Sequence, residues 1–351
     1  ESFGCFLAVI GTATVACIGL LGRRVGGDAT GVIAAVLAAG YPMLFISDGI
    51  AMSESLYVLL VAISLLLAYR AIDRPTPLTF VLLGGALGLA TLTRTEGAVL
   101  ALVLVVPLAW RVAALTARQR LLRAGLALSA VLVVVAPWTI RNAFRLDAFV
   151  PVSSNSATVV DGANCDLVYS GPQLGLWRET FSVFGDDARR RPQGEGCFEG
   201  FDIASPDFDE ATVARMHRRD GLSYARSHAR SLPKVAAVRV LRTWALYAPR
   251  QQIEFESLEG RPRAWQQAGT IMYWFLLPCA VLGAVLLVRR RMPLWPLLAP
   301  GVVVVVTSAA AYGQQRFRVA AEPSILVLAA VSLGVAGHRL RRRVDQVPGT
   351  R

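Results

Sequence analysis

The stretch Pro137-Trp138-Thr139-Ile140-Arg141-Asn142 divides the chain. Before it lie apolar blocks separated by arginines. After it comes charged, turn-rich sequence to about Gln267, and then apolar blocks resume. Read as the place where a helix leaves a bilayer, it separates a membrane body from one large water-facing excursion.

Composition agrees. Of 351 residues, 54% are hydrophobic, and the mean hydropathy is +0.50. A bilayer core takes about 20 mostly apolar residues per helix. Blocks of that kind recur at about 3–21, 30–47, 55–70, 78–92, 97–110, 122–138, 268–288, 294–311 and 322–338. The fold class expected is an all-α polytopic membrane protein. Four regions follow: an N-terminal transmembrane bundle of about six spans over 1–138, a loop domain over 139–267, a C-terminal bundle of about three spans over 268–340, and a basic tail over 341–351.

The net charge of +12 does not argue for nucleic acid, because outside the long loop most arginines sit at the ends of apolar blocks. Cytoplasmic connections carry excess Lys and Arg. Arg23 and Arg24, Arg70 and Arg74, Arg111 through Arg123, Arg289 through Arg291, and Arg339 through Arg343 mark every second junction. This alternation places residue 1 and the 139–267 loop outside the cytoplasm and the C-terminus inside. The outer junctions then hold Asp48 and Glu54, Arg94 and Glu96, the long loop, and Tyr312 through Glu322. Charges at apolar boundaries either anchor helix ends or mark a site.

Gly84, Gly85 and Gly88 give a small-residue spacing that lets helices approach closely. Within the loop, residues 143–206 read as irregular and compact, and 207–230 as helical with Asp207 or Asp209 near the N-cap. Lys234 to Tyr247 reads as an amphipathic helix, either lying on lipid headgroups or packed on the loop domain. His217 and His228 read as solvated. Cys5, Cys17 and Cys279 read as packing residues, whereas Cys165 and Cys197 form a candidate disulfide outside the cytoplasm. No metal-ligand spacing is present, and no cofactor is expected.

The densest local constellation is Tyr312-Gly313-Gln314-Gln315-Arg316-Phe317-Arg318, followed by Glu322-Pro323. Guanidinium forks match phosphate oxygens, so Arg316 and Arg318 are candidate ligands of a lipid phosphate. Taken in order, PWTIRN, FVPVSS, a segment ending R-x-x-R-T-W, and YGQQRFR before EP resemble bacterial polyprenyl-phosphate-sugar glycosyltransferases. These are GT-C fold membrane enzymes related to protein O-mannosyltransferases and aminoarabinose transferases. AMSESLYVLL and GLATLTRTEG are similar to that family as well.

The resemblance implies a GT-C-like helix bundle and sugar transfer on the outer side of a cell membrane. The donor would be a polyprenyl-phosphate-linked sugar, and the acceptor a cell-envelope glycan, lipid or protein. Arg316 and Arg318 would bind the donor phosphate. Asp48, Glu54, Arg94, Glu96, Arg141, Asn142 and Tyr312 are candidate supports of the substrate site. The family's general base, an Asp in the first outer loop, is expected upstream of Glu1, so no catalytic residue is assigned. Some relatives use a divalent metal, which this sequence does not indicate. The rival classes are a transporter or flippase of a lipid-linked precursor and a non-catalytic scaffold of the same architecture.

Overall fold

A computed structural model describes residues 2–50, 52–112, 115–146, 149–153, 155–177 and 210–344. Among them every regular element is helical. All nine apolar blocks fold as helix: α1 Ser2–Gly26, α2 Asp28–Gly40 continued by α3 Pro42–Asp48, α4 Glu54–Asp73, α5 Pro77–Thr93, α6 Glu96–Arg111, α7 Ala117–Leu146, then three more near the C-terminus. Water is absent from a bilayer core, so backbone groups there must be paired within the segment, which favours helix.

The protein is a multi-pass membrane protein, but its helices are not nine equal spans. Five helical stretches are long and apolar enough to cross a membrane, and the α2–α3 pair makes a sixth if its 56° bend falls within one span. α5 and α6 have 17 and 16 residues. At 1.5 Å per residue they reach about 24–26 Å, short of a hydrocarbon core of about 30 Å. The second block breaks at Tyr41, whose backbone is extended. The residue before a proline avoids helical geometry, and Pro42 follows.

A second difference concerns the dividing stretch. The apolar block ends at about 138, but α7 passes through Pro137 and runs on to Leu146. A proline inside a helix removes one hydrogen bond and crowds the preceding turn. Here the continuation is held by side chains bonded to the returning chain: Trp138 Nε1 donates to the Val152 carbonyl at 2.8 Å, and Thr139 Oγ1 to that of Pro151 at 2.7 Å.

The chain forms two compact units. The first comprises residues 1–131, 256–302 and 319–351, and the second 132–255 and 303–318. Before the later membrane helices come α8 Ser156–Gly162, α9 Asp166–Tyr169, α10 Glu210–Ser227, α11 Leu232–Thr243 and α12 Pro249–Leu258; α13 Arg263–Arg289, α14 Trp295–Ala310 and α15 Glu322–Val344 complete the chain.

In the first unit α15 is the central helix. Every residue from 322 to 332 is buried, as expected of a helix apolar on all sides. It packs on α13, α2 and α1, while α4 joins α1 to α5. Backbones meet closely at glycines: a Cβ at Gly283 would collide with the Leu328 carbonyl, and one at Gly84 with the Ala127 carbonyl. Gly85 faces open space. The two ends of α4 carry different chemistry. At Asp73, Arg24 Nε donates at 2.8 Å, and Tyr69 reaches the Pro293 carbonyl at 2.7 Å. Glu54 opens the other end.

In the second unit a small core of Cys165, Val168, Tyr169, Leu174, Val235 and Val238 ties α9 to α11. α11 is packed rather than laid on lipid, because its two arginines point inward while Lys234 stays exposed. Arg239 is 2% exposed and Arg242 is 0% exposed. Arg242 donates to the carbonyls of Leu174 at 2.6 Å and Pro172 at 3.0 Å. Arg239 donates to the carbonyls of Ala163 and Ala309. Burial lowers the Arg242 guanidinium to about 10, which still leaves it charged at neutral pH. His217 is also corrected: it is fully buried on α10, with Nδ1 2.7 Å from Asp161. Cys165 is disulfide-bonded. The other cysteine of the expected pair, Cys197, lies outside the described residues, as do Asp207, Asp209, the stretch 178–206 and the end of the basic tail, 345–351.

The glycine contacts give a paired expectation. Gly84→Ala should destabilise the protein by about 1–3 kcal/mol, the usual cost of overpacking. Gly85→Ala should be neutral or gain up to about 1 kcal/mol from helix propensity. Thermal unfolding of the two variants in detergent checks this; equal melting temperatures would contradict the α5–α7 contact.

Candidate functional site

At the Glu54 end of the first unit, three sequence-distant segments share charge. α5 ends at Thr93, Arg94 takes an extended backbone, and α6 begins at Glu96. An acid in a first helical turn is favoured by the helix dipole. That short turn brings Arg94 Nε to Glu96 Oε1 at 2.7 Å, while Arg94 Nη1 reaches Glu54 Oε1 at 2.9 Å. Glu54 is 2% exposed and Arg261 is 4% exposed. Arg261 lies 3.7 Å from Glu54 and 3.9 Å from both Glu256 and Glu259. Those longer distances are charge contacts rather than hydrogen bonds. Two guanidiniums therefore sit among four carboxylates.

Polar groups continue inward. The Tyr57 hydroxyl and both amide atoms of Gln266 are buried without a hydrogen-bond partner among the described residues. Buried polar groups of this kind call for a specific explanation.

Asp48, the last residue of α3, lines a cavity of about 220 Å³ with Gly11, Thr14, Ser47, Ser55 and Phe45 among its walls. Its carboxylate lies directly over Gly11, where a Cβ would collide with it. Gly11 is nine residues into α1, about 13 Å along the helix axis. Asp48 is thus tucked beside the apolar body of α1 rather than splayed at its end. A carboxylate at such a position is expensive and generally functional. The bend at Tyr41 gives α3 a direction of its own and so aims Asp48 back at α1.

The second unit holds the other sequence candidates. Arg316 and Arg318 belong to a 3-10 helix, Gln315–Ala321. With three residues per turn, side chains two apart diverge by about 120°. Their surroundings differ accordingly. Arg318 is fully buried, whereas Arg316 is half-buried, bonds the Tyr312 hydroxyl at 3.2 Å and lies 5.7 Å from the Phe317 ring. Tyr312 stacks on Trp177 at 5.6 Å. Asn142 is buried and donates to the Val150 carbonyl at 3.1 Å, while Arg141 remains exposed over the Trp138 ring.

The structure therefore joins Glu54, Arg94 and Glu96 in one cluster. It places Asp48 in a cavity of the same unit, and it buries Arg318 while leaving Arg316 half-buried. Sequence reasoning missed Arg261, Gly11 and Trp177. Only the turn Glu259-Gly260-Arg261 before α13 hinted at the first. No His, Cys, Asp or Glu group able to hold a metal occurs among the described residues.

Arg94→Ala should cost about 3–5 kcal/mol, because it strands Glu54 as a buried charge. The Arg24–Asp73 pair, with side chains 35% and 44% exposed, should lose no more than about 1 kcal/mol in Arg24→Ala. Melting temperatures of both variants in detergent decide; a larger loss for Arg24→Ala would contradict the ranking.

The geometry can be set beside known proteins. The family model described as dolichyl-phosphate-mannose-protein mannosyltransferase matches residues 2–140. The matched segment contains Gly11, Asp48, Glu54, Arg94 and Glu96 and stops immediately before Arg141. No curated protein and no solved structure matches the chain significantly. Over residues 2–140, the chain is similar to membrane glycosyltransferases of the mannosyltransferase type.

Proposed function

We propose that the protein is a membrane glycosyltransferase that moves a sugar from a polyprenyl-phosphate donor to a cell-envelope acceptor on the extracytoplasmic side. The observation that carries this is the coincidence of the family match with the buried charged cluster and the Asp48 cavity. In such a transfer the acceptor hydroxyl oxygen attacks the anomeric carbon, and the bond to the phosphate oxygen breaks. Polyprenyl phosphate leaves with the electron pair, and a carboxylate takes the hydroxyl proton. No described residue is assigned as that base.

Asp48 supports the sugar or the acceptor hydroxyl. Its cavity of about 220 Å³ lies below the roughly 300–1,000 Å³ of drug-sized ligand sites, a scale suited to a single sugar ring. Carboxylate and hydroxyl groups on its wall suit a polyol. Arg94, fixed between Glu54 and Glu96, keeps the outer end of the bundle rigid beside it. Arg316 is the accessible member of the pair expected at the donor phosphate. Topology follows from charge: the Asp73 end of α4, where Arg24 gathers, faces the cytoplasm, and the Glu54 end faces outward.

One observation favours a transporter of a lipid-linked precursor. Helices broken within the membrane often line transport sites, and the Tyr41 bend beside Asp48 is such a break. The two readings differ in the fate of the sugar.

The test uses the full-length protein in proteoliposomes with labelled polyprenyl-phosphate mannose and an envelope extract as acceptor. Transfer predicts loss of the sugar from the lipid, and Asp48→Asn should slow it about 10- to 100-fold, the value of a hydrogen bond to a charged group. Arg316→Ala should slow it as well. Movement of intact lipid-linked sugar across the bilayer, without cleavage, would establish the transporter instead.

A further inference from the structure

The end of α7 holds a built cavity that the transfer reaction above does not use. α7 has 30 residues, about 45 Å of helix against a hydrocarbon core of about 30 Å. Its apolar body is bracketed by Arg123 and Arg141, eighteen residues and about 27 Å apart. That match sets Arg141 at one membrane surface when Arg118, Arg120 and Arg123 lie at the other. Only 11% of the most apolar window of α7 is buried, so the helix turns most of its surface outward, as a lipid-facing helix does.

Trp138, Arg141 and Arg145 follow one another at helical spacing on one face. The Arg141 guanidinium lies 4.7 Å from the Trp138 ring centroid. With Asn142, Ser153 and Glu210 they line a cavity of about 440 Å³. Both arginines are exposed to it. The facing wall is fixed in advance, because Trp138, Thr139 and Asn142 bond the carbonyls of Val152, Pro151 and Val150. On other faces of this end of α7, and just after it, Ile140 is 55% exposed, Phe144 87% and Phe149 81%. Large apolar side chains in that position are poorly solvated by water and well solvated at the acyl boundary, where aromatic residues collect. Among the described residues its lining carries two arginines and one acid, Glu210.

We propose that this cavity binds a phosphate carried on a lipid. The Arg141 and Arg145 forks take the phosphate oxygens. Trp138 holds Arg141 in place by its ring face, and Phe144 and Phe149 sit among the lipid chains. The lipid tail runs along the outward face of α7. The proposal rests on the transferase reading only in choosing polyprenyl phosphate as the first probe.

The experiment measures binding by the full-length protein in nanodiscs containing polyprenyl monophosphate or the matching neutral polyprenol. The wild type should prefer the phosphate at least 10-fold. Arg141→Gln combined with Arg145→Gln should abolish that preference, and Arg141→Lys with Arg145→Lys, which keeps charge without the fork, should retain part of it. Both arginines are exposed, so the fold should survive; the lysine pair decides if the glutamine pair does not fold. A preference unchanged in the lysine or glutamine pair overturns the site. Phosphatidylglycerol binding as tightly as polyprenyl phosphate supports a general lipid-phosphate site. Inorganic phosphate binding as tightly as either overturns the lipid assignment. Sugar transfer in the same nanodiscs separates the two proposals: no transfer with intact phosphate preference removes the transferase reading alone.

Discussion

The first unit depends on one guanidinium. Arg94 donates to Glu54 and Glu96 at once, in a place where water is scarce. Taking such charges out of water costs several kcal/mol per ion, and their attraction repays this only when the geometry is good. A pair of apolar residues would hold α4 against α6 at least as well. What the ions add is position: a bidentate fork accepts one arrangement of two carboxylates, whereas apolar surfaces slide. Arg261 brings a third segment, the approach to α13, to the same Glu54. Residues 54, 94 and 261 are thereby fixed together, and the adjoining turn that ends α3 at Asp48 is built on the same foundation.

Much of this architecture was legible in the sequence, and the failures have physical causes. Apolar blocks announce helices because a bilayer allows the backbone few alternatives, and all nine blocks are helical. The contacts of Arg24 with Asp73 and of Arg94 with Glu54 fall at opposite ends of α4. Span lengths were misjudged because hydropathy does not register a bend. Gly40-Tyr41-Pro42 sits in an apolar run, and only the constraint on a residue before proline signals the break. At the dividing stretch the apolar block ends at about 138, yet α7 continues because Trp138, Thr139 and Asn142 find carbonyls in residues 150–152, which no local pattern reveals.

The cations of α11 show the same limit. An amphipathic helix with Arg239 and Arg242 on one side has the same pattern whether that side meets headgroups or carbonyls. The sequence supports both, and only the folded loop decides. There, carbonyls at Ala163, Pro172 and Leu174 turn inward and need donors, and the two arginines supply them. His217 follows the same logic: a buried Asp161 carboxylate makes a buried imidazole affordable. Long-range acceptors of this kind are invisible to periodicity, and they convert residues that look solvated into core.

Arg316 and Arg318 carry a further lesson about reading sites from spacing. Two arginines two residues apart share a face in a strand, diverge by about 120° in a 3-10 turn, and diverge by about 160° in an α-helix. A clamp made by both residues therefore depends on the backbone, which here is a 3-10 turn. Arg141 and Arg145 are four apart on a continuous helix, where such a spacing does put two forks on one face. The same residue type, at a spacing that matches its backbone, is what a phosphate-binding pair requires.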